Sequence, residues 1–222
     1  MTQKQLSRAL LPWSTATLES FTTCPYRYYR LQVKKDVELP DNPAVSISRR
    51  LHDAFYRALV EDEPLPNNFQ RFESLINRLK SLPGEKRANF GIGVDNKLKA
   101  CDFCDAWAWS VIDFAVAKGS ESMIFSWRTG SYEPSDQLRL SAAIYFAHNV
   151  ECEILHTRTF WFRSNKVEKE TYTRKDIPEL WKTFVSPYRK WKQAITDESW
   201  TPTPCGLCSK YCGLKDCKYC LG

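Results

Sequence analysis

Five cysteines fall within residues 205–220, in the stretch CGLCSKYCGLKDCKYC. Their spacing, C-x2-C-x3-C-x4-C-x2-C, lets one short loop present several thiolates to a metal. Thiolates are the soft ligands that zinc and iron–sulfur clusters require. We therefore predict a metal site in this tail, and the spacing alone leaves zinc and iron–sulfur both open.

The cysteine usage also bears on the compartment. The chain has nine cysteines, an odd number that disulfides within one chain cannot pair completely. Cytoplasmic thiol pools disfavour disulfides, so a dense cysteine cluster there favours metal. The N-terminal residues lack the apolar core of a signal peptide, and no apolar run is long enough to cross a bilayer. We expect a soluble, cytoplasmic protein without a membrane partner.

Four cysteines lie outside the tail. Cys101 and Cys104 form a separate C-x2-C pair, which we expect to be buried small side chains, with a second metal half-site as the alternative. We expect Cys152 to be a core residue of a strand. Cys24 stands directly before Pro25, where a helix should end or kink.

The hydrophobic periodicity indicates a mixed α/β fold with a central sheet in a single domain, 1–222. Residues 85–105 favour no single element. Elsewhere the pattern predicts helices over about 14–35 (interrupted at Pro25), 44–62 and 69–83, a helix from about 136, and a long helix over about 176–196. It predicts a hairpin of 107–117 and 122–128, and strands over about 150–163 and 166–173.

Two cysteine-containing segments resemble the RecB-type branch of the PD-(D/E)XK nuclease superfamily, which includes many phage-encoded members. Residues 14–25 match S-x-x-T-L-x-x-F-x-x-C-P, and residues 207–217 resemble the ending L-C-x-x-Y-C-x-V-x-x-C. The resemblance covers about residues 14–220 and implies a restriction-endonuclease-like mixed sheet flanked by helices. It also implies an iron–sulfur subregion formed by 14–35 and 205–220, with a 4Fe–4S cluster joining the two ends of the domain. The implied ligands are Cys24, Cys208, Cys212 and Cys217, with Cys205 and Cys220 as alternates.

The motifs that carry catalysis in this branch are present in altered form. His52 stands at the histidine of G-x-x-x-H, where Ser48 replaces the glycine, and Asp113 ends a G-x-I-D motif that lacks its glycine. Gln137 begins a Q-L-x-x-Y motif whose tyrosine position is Ser141. The resemblance implies that Asp113 and His52 are metal ligands.

The strand motif V-x-D-x-K-T-G has lost both of its catalytic residues. Its acid position holds Ser126 and its lysine position holds Arg128. Magnesium or manganese prefers charged oxygen ligands, and arginine cannot act as a base. We therefore expect a nuclease site that is inactive or impaired, and Mg or Mn only if it is active. Migration of Glu121 or Glu133 into the site is the alternative.

A buried carboxylate needs a partner. Asp113 lies among apolar residues, and Arg128 is on the neighbouring predicted strand. We predict that these two side chains form an ion pair that fills the former metal site.

DNA is the expected partner. The net charge is +6, and basic residues near Cys24 and His52 could follow phosphates, with Tyr26, Tyr28 and Tyr29 available for base stacking. Two alternatives are an active metal-dependent DNA exonuclease and a phage or mobile-element protein that docks on a host recombination or defence complex. The candidate phosphate-binding residues are Arg27, Arg30, Lys34, Lys35, Arg49 and Arg50.

Overall fold

The computed structural model describes residues 11–39, 43–130, 132, 135–206, 208–214 and 216–220. The chain divides into two compact units. The first contains the described residues of 1–40 and 182–222, and the second those of 41–181.

The helices and strands follow the predicted order closely. The helices are α1 (Thr15–Thr23), α2 (Pro25–Tyr28), α3 (Pro43–Tyr56), α4 (Glu73–Lys80), α5 (Gln137–His148), α6 (Ile177–Thr196) and α7 (Cys208–Tyr211). The strands are β1 (Glu85–Val94), β2 (Ala100–Cys101), β3 (Ala108–Lys118), β4 (Glu121–Arg128), β5 (Ile154–Trp161) and β6 (Lys166–Thr173). Short π-helical turns, Tyr29–Val33 and Arg57–Glu61, follow α2 and α3.

Local sequence signals explain how the first unit begins. The Ser14 hydroxyl accepts a hydrogen bond from the Thr17 N–H at 3.3 Å, which satisfies one of the donors left free at the start of α1. The predicted interruption at Pro25 is confirmed, because Cys24 has extended backbone and α2 begins at the proline. Trp13 is 1% exposed, and its ring contacts Phe184 and Tyr188.

The second unit is built on a six-stranded mixed sheet with the order β2-β1-β3-β4-β5-β6. All neighbouring strands are antiparallel except β4 and β5, which are parallel. A parallel pair needs a long connection, and α5 supplies it. The predicted hairpin is confirmed, with Gly119 at φ 60° in the two-residue turn between Lys118 and Glu121.

Helices α3 and α4 pack on the sheet through a single apolar cluster. Phe55 of α3 is fully buried, and its ring lies edge-on to Trp127 of β4 and Phe162. This packing holds α3 beside β3 and β4. The cluster consists of Leu51, Ala54, Phe55, Ala58, Leu65, Phe69, Ile76, Leu79, Phe114, Val116, Phe125 and Trp127.

The cysteines outside the tail differ in part from the prediction. Cys104 is exposed, in a short 3-10 turn after β2, so the expectation that Cys101 and Cys104 are both buried is wrong. Cys152 is buried as predicted, but it precedes β5, where its thiol donates to the Ile154 carbonyl at 3.4 Å. None of the helices in the described part of the chain combines the length and apolar character that crossing a bilayer requires.

Candidate functional site

His52 and Asp113 meet at the junction of α3 and the sheet. The Nδ1 atom of His52 lies 3.1 Å from Oδ1 of Asp113. The Asp113 side chain is 9% exposed, whereas the His52 side chain is 39% exposed and reaches the surface. The structure therefore brings together two of the predicted site residues.

The second oxygen of Asp113 accepts a backbone hydrogen bond. The N–H of Trp127 donates to Oδ2 at 3.0 Å. The β3–β4 ladder ends at the pair Phe114 and Phe125, so Trp127 lies beyond the last paired residues. Asp113 thus supplies the acceptor that a continued strand would have supplied, and the N–H of Trp127 does not remain unsatisfied.

The predicted ion pair between Asp113 and Arg128 is wrong. In the described part of the chain, no salt bridge joins them, and the carboxylate oxygens lie against His52 and Trp127 instead. Arg128 ends β4 and lies opposite Trp161 of β5. The two residues belong to adjacent strands, as predicted, but the end of the ladder gives Asp113 a backbone partner that the sequence pattern did not reveal.

The two alternative acids do not complete this site. Ser126, at the position of the second acid, is 3% exposed and neutral. Glu121 pairs with Lys118 at the turn, five residues along β3 from Asp113, or about 17 Å of strand. Glu133 lies outside the described residues.

Gln137 and Ser141 have structural contacts in α5. The Gln137 N–H donates to the Ser135 hydroxyl at 3.2 Å. Ser141 is fully buried, and its hydroxyl donates to the Gln137 carbonyl at 2.9 Å. Because that uses its only hydrogen, Ser110 must donate in the 2.7 Å contact between the two serine hydroxyls. Ser141 is therefore a buried serine that ties α5 to β3.

A cleft of about 450 Å³ opens beside His52. Besides His52, the α3 residues Ser48 and Arg49 line it, and Asn89 of β1 lines it too. Asn89 was missed because its segment favoured no single element. Only its backbone angle, φ 47°, marks it as unusual. The remaining lining residues are Val45, Asp53 and Tyr56.

The predicted phosphate-binding residues fall into two groups. Arg49 and Arg50 are exposed on α3, and Lys35 is exposed after the π-helical turn. Arg27, Arg30 and Lys34 already contact protein acceptors: the Arg27 Nε donates to the Cys212 carbonyl at 3.1 Å, and Lys34 lies 2.6 Å from Asp36.

Arg30 connects the N-terminal segment with the tail. It is 12% exposed, donates to Asp36 at 2.7 Å, and pairs with Asp216. Hydrogen bonds from Arg30 hold the pKa of both carboxyl groups below their usual range, and Lys34 contributes at Asp36.

The three tyrosines proposed for base stacking pack within the first unit. Tyr28 is 7% exposed, and burial raises its pKa. Tyr29 stacks on Trp200 with ring centroids 5.1 Å apart, and the Tyr26 hydroxyl accepts a hydrogen bond from Arg30 at 2.9 Å. These contacts favour a packing role for all three.

The tail cysteines lie close to one another. The sulfur atoms of Cys205 and Cys208 are 3.8 Å apart. Desolvation, and then the neighbouring thiols of Cys212 and Cys217, raise the pKa of Cys220 to about 12. Across the described residues, no group of three or more His, Cys, Asp and Glu side chains is arranged to hold a metal ion.

The donor chemistry of the tail nevertheless fits a thiolate-bound metal. Cys217 is buried, and Arg27, three residues after Cys24 on α2, bonds the Cys212 carbonyl. The two cysteine-bearing segments therefore contact each other within one unit. Short spacing between soft donors is what zinc and iron–sulfur clusters use.

Two solved structures resemble this chain at low sequence identity. The crystal structure of a candidate exonuclease from Eubacterium rectale is similar over 99% of this chain and 90% of its own, with a TM-score of 0.49 and 11% identity. The crystal structure of SSO0001 is similar over 99% of this chain and 96% of its own, with a TM-score of 0.47 and 10% identity. No protein-family model and no curated protein matches the chain. Likeness of this size assigns neither a family nor an activity to this chain.

Proposed function

We propose that this chain is a cytoplasmic, DNA-binding protein of RecB-type nuclease architecture in which metal-dependent cleavage is lost or strongly impaired. The observation that carries the proposal is that protein groups contact both carboxylate oxygens of Asp113. One carboxylate oxygen lies against His52, and the other accepts from the Trp127 N–H.

A nuclease of this type needs a divalent ion held by charged oxygens, beside a lysine. The ion polarises the phosphate and generates the attacking hydroxide. Here the acid position is the buried Ser126, and Arg128 replaces the lysine. A magnesium ion would have to displace the partners of Asp113 and would gain no second carboxylate from β4.

DNA binding is supported by the cleft at His52. It is lined by Arg49, Ser48, Tyr56 and Asn89, which all carry hydrogen-bond donors. An arginine can bind a phosphate oxygen pair through its planar fork. The overall charge of +6 favours association with a polyanion.

We also propose that a 4Fe–4S cluster is held by Cys24, Cys208, Cys212 and Cys217, with zinc as the alternative metal. Cys205 and Cys220 lie close to these cysteines and are alternates. A bound cluster would supply a covalent link between α2 and the tail. Arg27 and Arg30 hold the same two segments together through the Cys212 carbonyl and Asp216.

An active exonuclease is the second candidate, because His52 and Asp113 do come together at an open cleft. Anaerobically purified protein should be assayed for cleavage of single- and double-stranded DNA with magnesium and with manganese. We expect salt-sensitive binding without cleavage. Cleavage that Asp113→Ala abolishes would establish the exonuclease. If the chain does not bind DNA at low salt, a docking role on a host recombination or defence protein becomes the better proposal.

A broad absorbance band near 400 nm in the same preparation, together with iron analysis, tests the cofactor. We expect the band and about four iron atoms per chain. Colourless, zinc-loaded protein would replace the iron–sulfur cluster with a zinc site.

A further inference from the structure

Asn89 has an unusual backbone conformation for its place in the fold. It lies in the interior of β1, yet its φ is 47°, in the left-handed region. Among residues other than glycine, asparagine tolerates this region best, but the conformation still costs free energy. Strain of this kind persists where the surrounding structure imposes it, and it clusters at functional sites.

The strain is located opposite Asp113. Ala88 pairs with Phe114, and Phe90 pairs with Ile112, so the β1–β3 register is continuous on both sides. Asn89 is the residue that this register skips, and Asp113 is the residue across from it. The left-handed residue therefore interrupts the ladder at the candidate site.

The side chain of Asn89 lines the cleft beside His52 and Arg49. It is exposed, and within the part of the chain that the structure describes its carboxamide makes no hydrogen bond to protein. The residue is thus held in a costly conformation while its polar group remains available to a ligand.

The charge of the cleft indicates which ligand this group meets. Both oxygens of Asp113 have protein partners, and Asp53 is paired with Arg57 at 3.4 Å. Asp53 is exposed as Arg49 is, but Arg49 has no ion pair among the described residues. An anion therefore fits better than a cation, and the amide N–H groups of Asn89 are suitable donors for it.

We propose that the Asn89 carboxamide donates a hydrogen bond to a DNA phosphate in this cleft, an inference that rests on the proposed DNA binding. Arg49 supplies the positive charge. Asn89 supplies a neutral, directional contact that positions the DNA backbone beside His52. Contacts to phosphate fix the register of a nucleic acid on a protein without reading its sequence.

The variant Asn89→Gly removes the side-chain hydrogen bond and also relieves the backbone strain, so its effects on DNA binding and on stability can be told apart. Glycine adopts positive φ without a steric penalty, so the fold should remain and the unfolding midpoint should stay equal or rise. Loss of one hydrogen bond to a charged group should weaken DNA binding roughly tenfold to a hundredfold. Because the contact is neutral, the slope of log affinity against log salt should not change.

Asn165→Gly is the matched control. Asn165 also has positive φ, 48°, but it lies in the β5–β6 turn and does not line the cleft. The Asn165→Gly variant should change stability in the same direction as Asn89→Gly and leave DNA binding unchanged. Asn89→Asp should bind DNA more weakly than Asn89→Gly, since a carboxylate repels phosphate. Tighter binding of Asn89→Asp would overturn the proposal.

Binding is measured by fluorescence anisotropy of a short labelled DNA, as a single strand and as a duplex. If the wild type binds and Asn89→Gly binds equally well, the inference about Asn89 fails and the proposed DNA binding stands. If the wild type does not bind, the proposed function fails. Titration with inorganic phosphate then tests Asn89 directly by the NMR resonances of its side-chain amide. Movement of those resonances supports a phosphate contact, and no movement overturns it.

Discussion

Asp113 and the tail cysteines differ in where their polar atoms find partners. The Asp113 carboxylate is nearly buried, and protein groups contact both of its oxygens. The tail thiols lie instead against other thiols, as Cys205 does against Cys208. A nearly buried carboxylate gains from partners within the protein, whereas clustered thiols are suitable ligands for a soft metal ion.

The two regions therefore differ in how their polar side chains are satisfied. Beside Asp113, β4 carries Ser126 and Arg128, and the Asp113 carboxylate accepts a hydrogen bond from the β4 backbone. The cysteine tail is held near α2 by Arg27 and Arg30. Substitutions in either region test this difference.

Replacing Cys217 should have the largest effect. Cys217→Ser removes a buried thiolate, so we expect iron per chain to fall roughly tenfold or more, with loss of the 400 nm band. Cys104→Ser is the control, because Cys104 is exposed and outside the tail. Iron content that is equal in the two variants would remove Cys217 from the ligand set.

Phe55→Ala tests the packing that positions α3. Phe55 is fully buried against Trp127, so its truncation should lower the free energy of unfolding by about 3–5 kcal/mol. Val60→Ala, at a side chain 54% exposed, should change it by less than about 0.5 kcal/mol. Urea denaturation measures both. A small effect of Phe55→Ala would mean that α3 does not depend on this cluster.

Asp113→Ala distinguishes a structural carboxylate from a metal ligand. It leaves the Trp127 N–H without its acceptor, so we expect a loss of about 1–3 kcal/mol in the free energy of unfolding. Asp113→Asn keeps an acceptor oxygen and should lose less. If Asp113→Ala is instead as stable as the wild type or more stable, the carboxylate serves a ligand rather than the fold, and Asp113 does not differ from the tail cysteines in this respect.

Acid should weaken the attachment of the cysteine tail to the N-terminal segment, and this effect should be modest. Arg30 lowers the pKa of Asp36 and Asp216, so the stabilisation of the tail by these two carboxylates is complete at neutral pH. It is lost as the pH falls through those lowered values, below about pH 4. The protection factors of the Cys212 and Leu214 amides, which compare the measured exchange rate with the intrinsic rate at the same pH, should therefore fall in acid in metal-free protein. In Asp216→Asn, these protection factors should already be lower at neutral pH. Protection factors that depend neither on pH nor on this substitution would exclude the Arg30 contacts as the tail's anchor.

Much of the fold followed from local patterns. The hairpin, the helix Ile177–Thr196 and the interruption at Pro25 were all predicted, because each depends on residues near one another in sequence. β1 was not predicted, since EKRANFGIGV mixes charged residues and glycines without alternation. It becomes a strand through pairing with β3 along nearly its whole length.

The candidate site divides in the same way. The thiol-rich tail, Ser126 and Arg128 on the predicted hairpin, and His52 and Asp113 as candidate site residues could all be read from the residues alone. The contact of His52, rather than Arg128, with Asp113 and the position of Asn89 in the cleft emerged only on folding. These contacts depend on where one ladder ends and on one left-handed residue in another strand. Both are set by pairing between strands rather than by the residues of either strand alone.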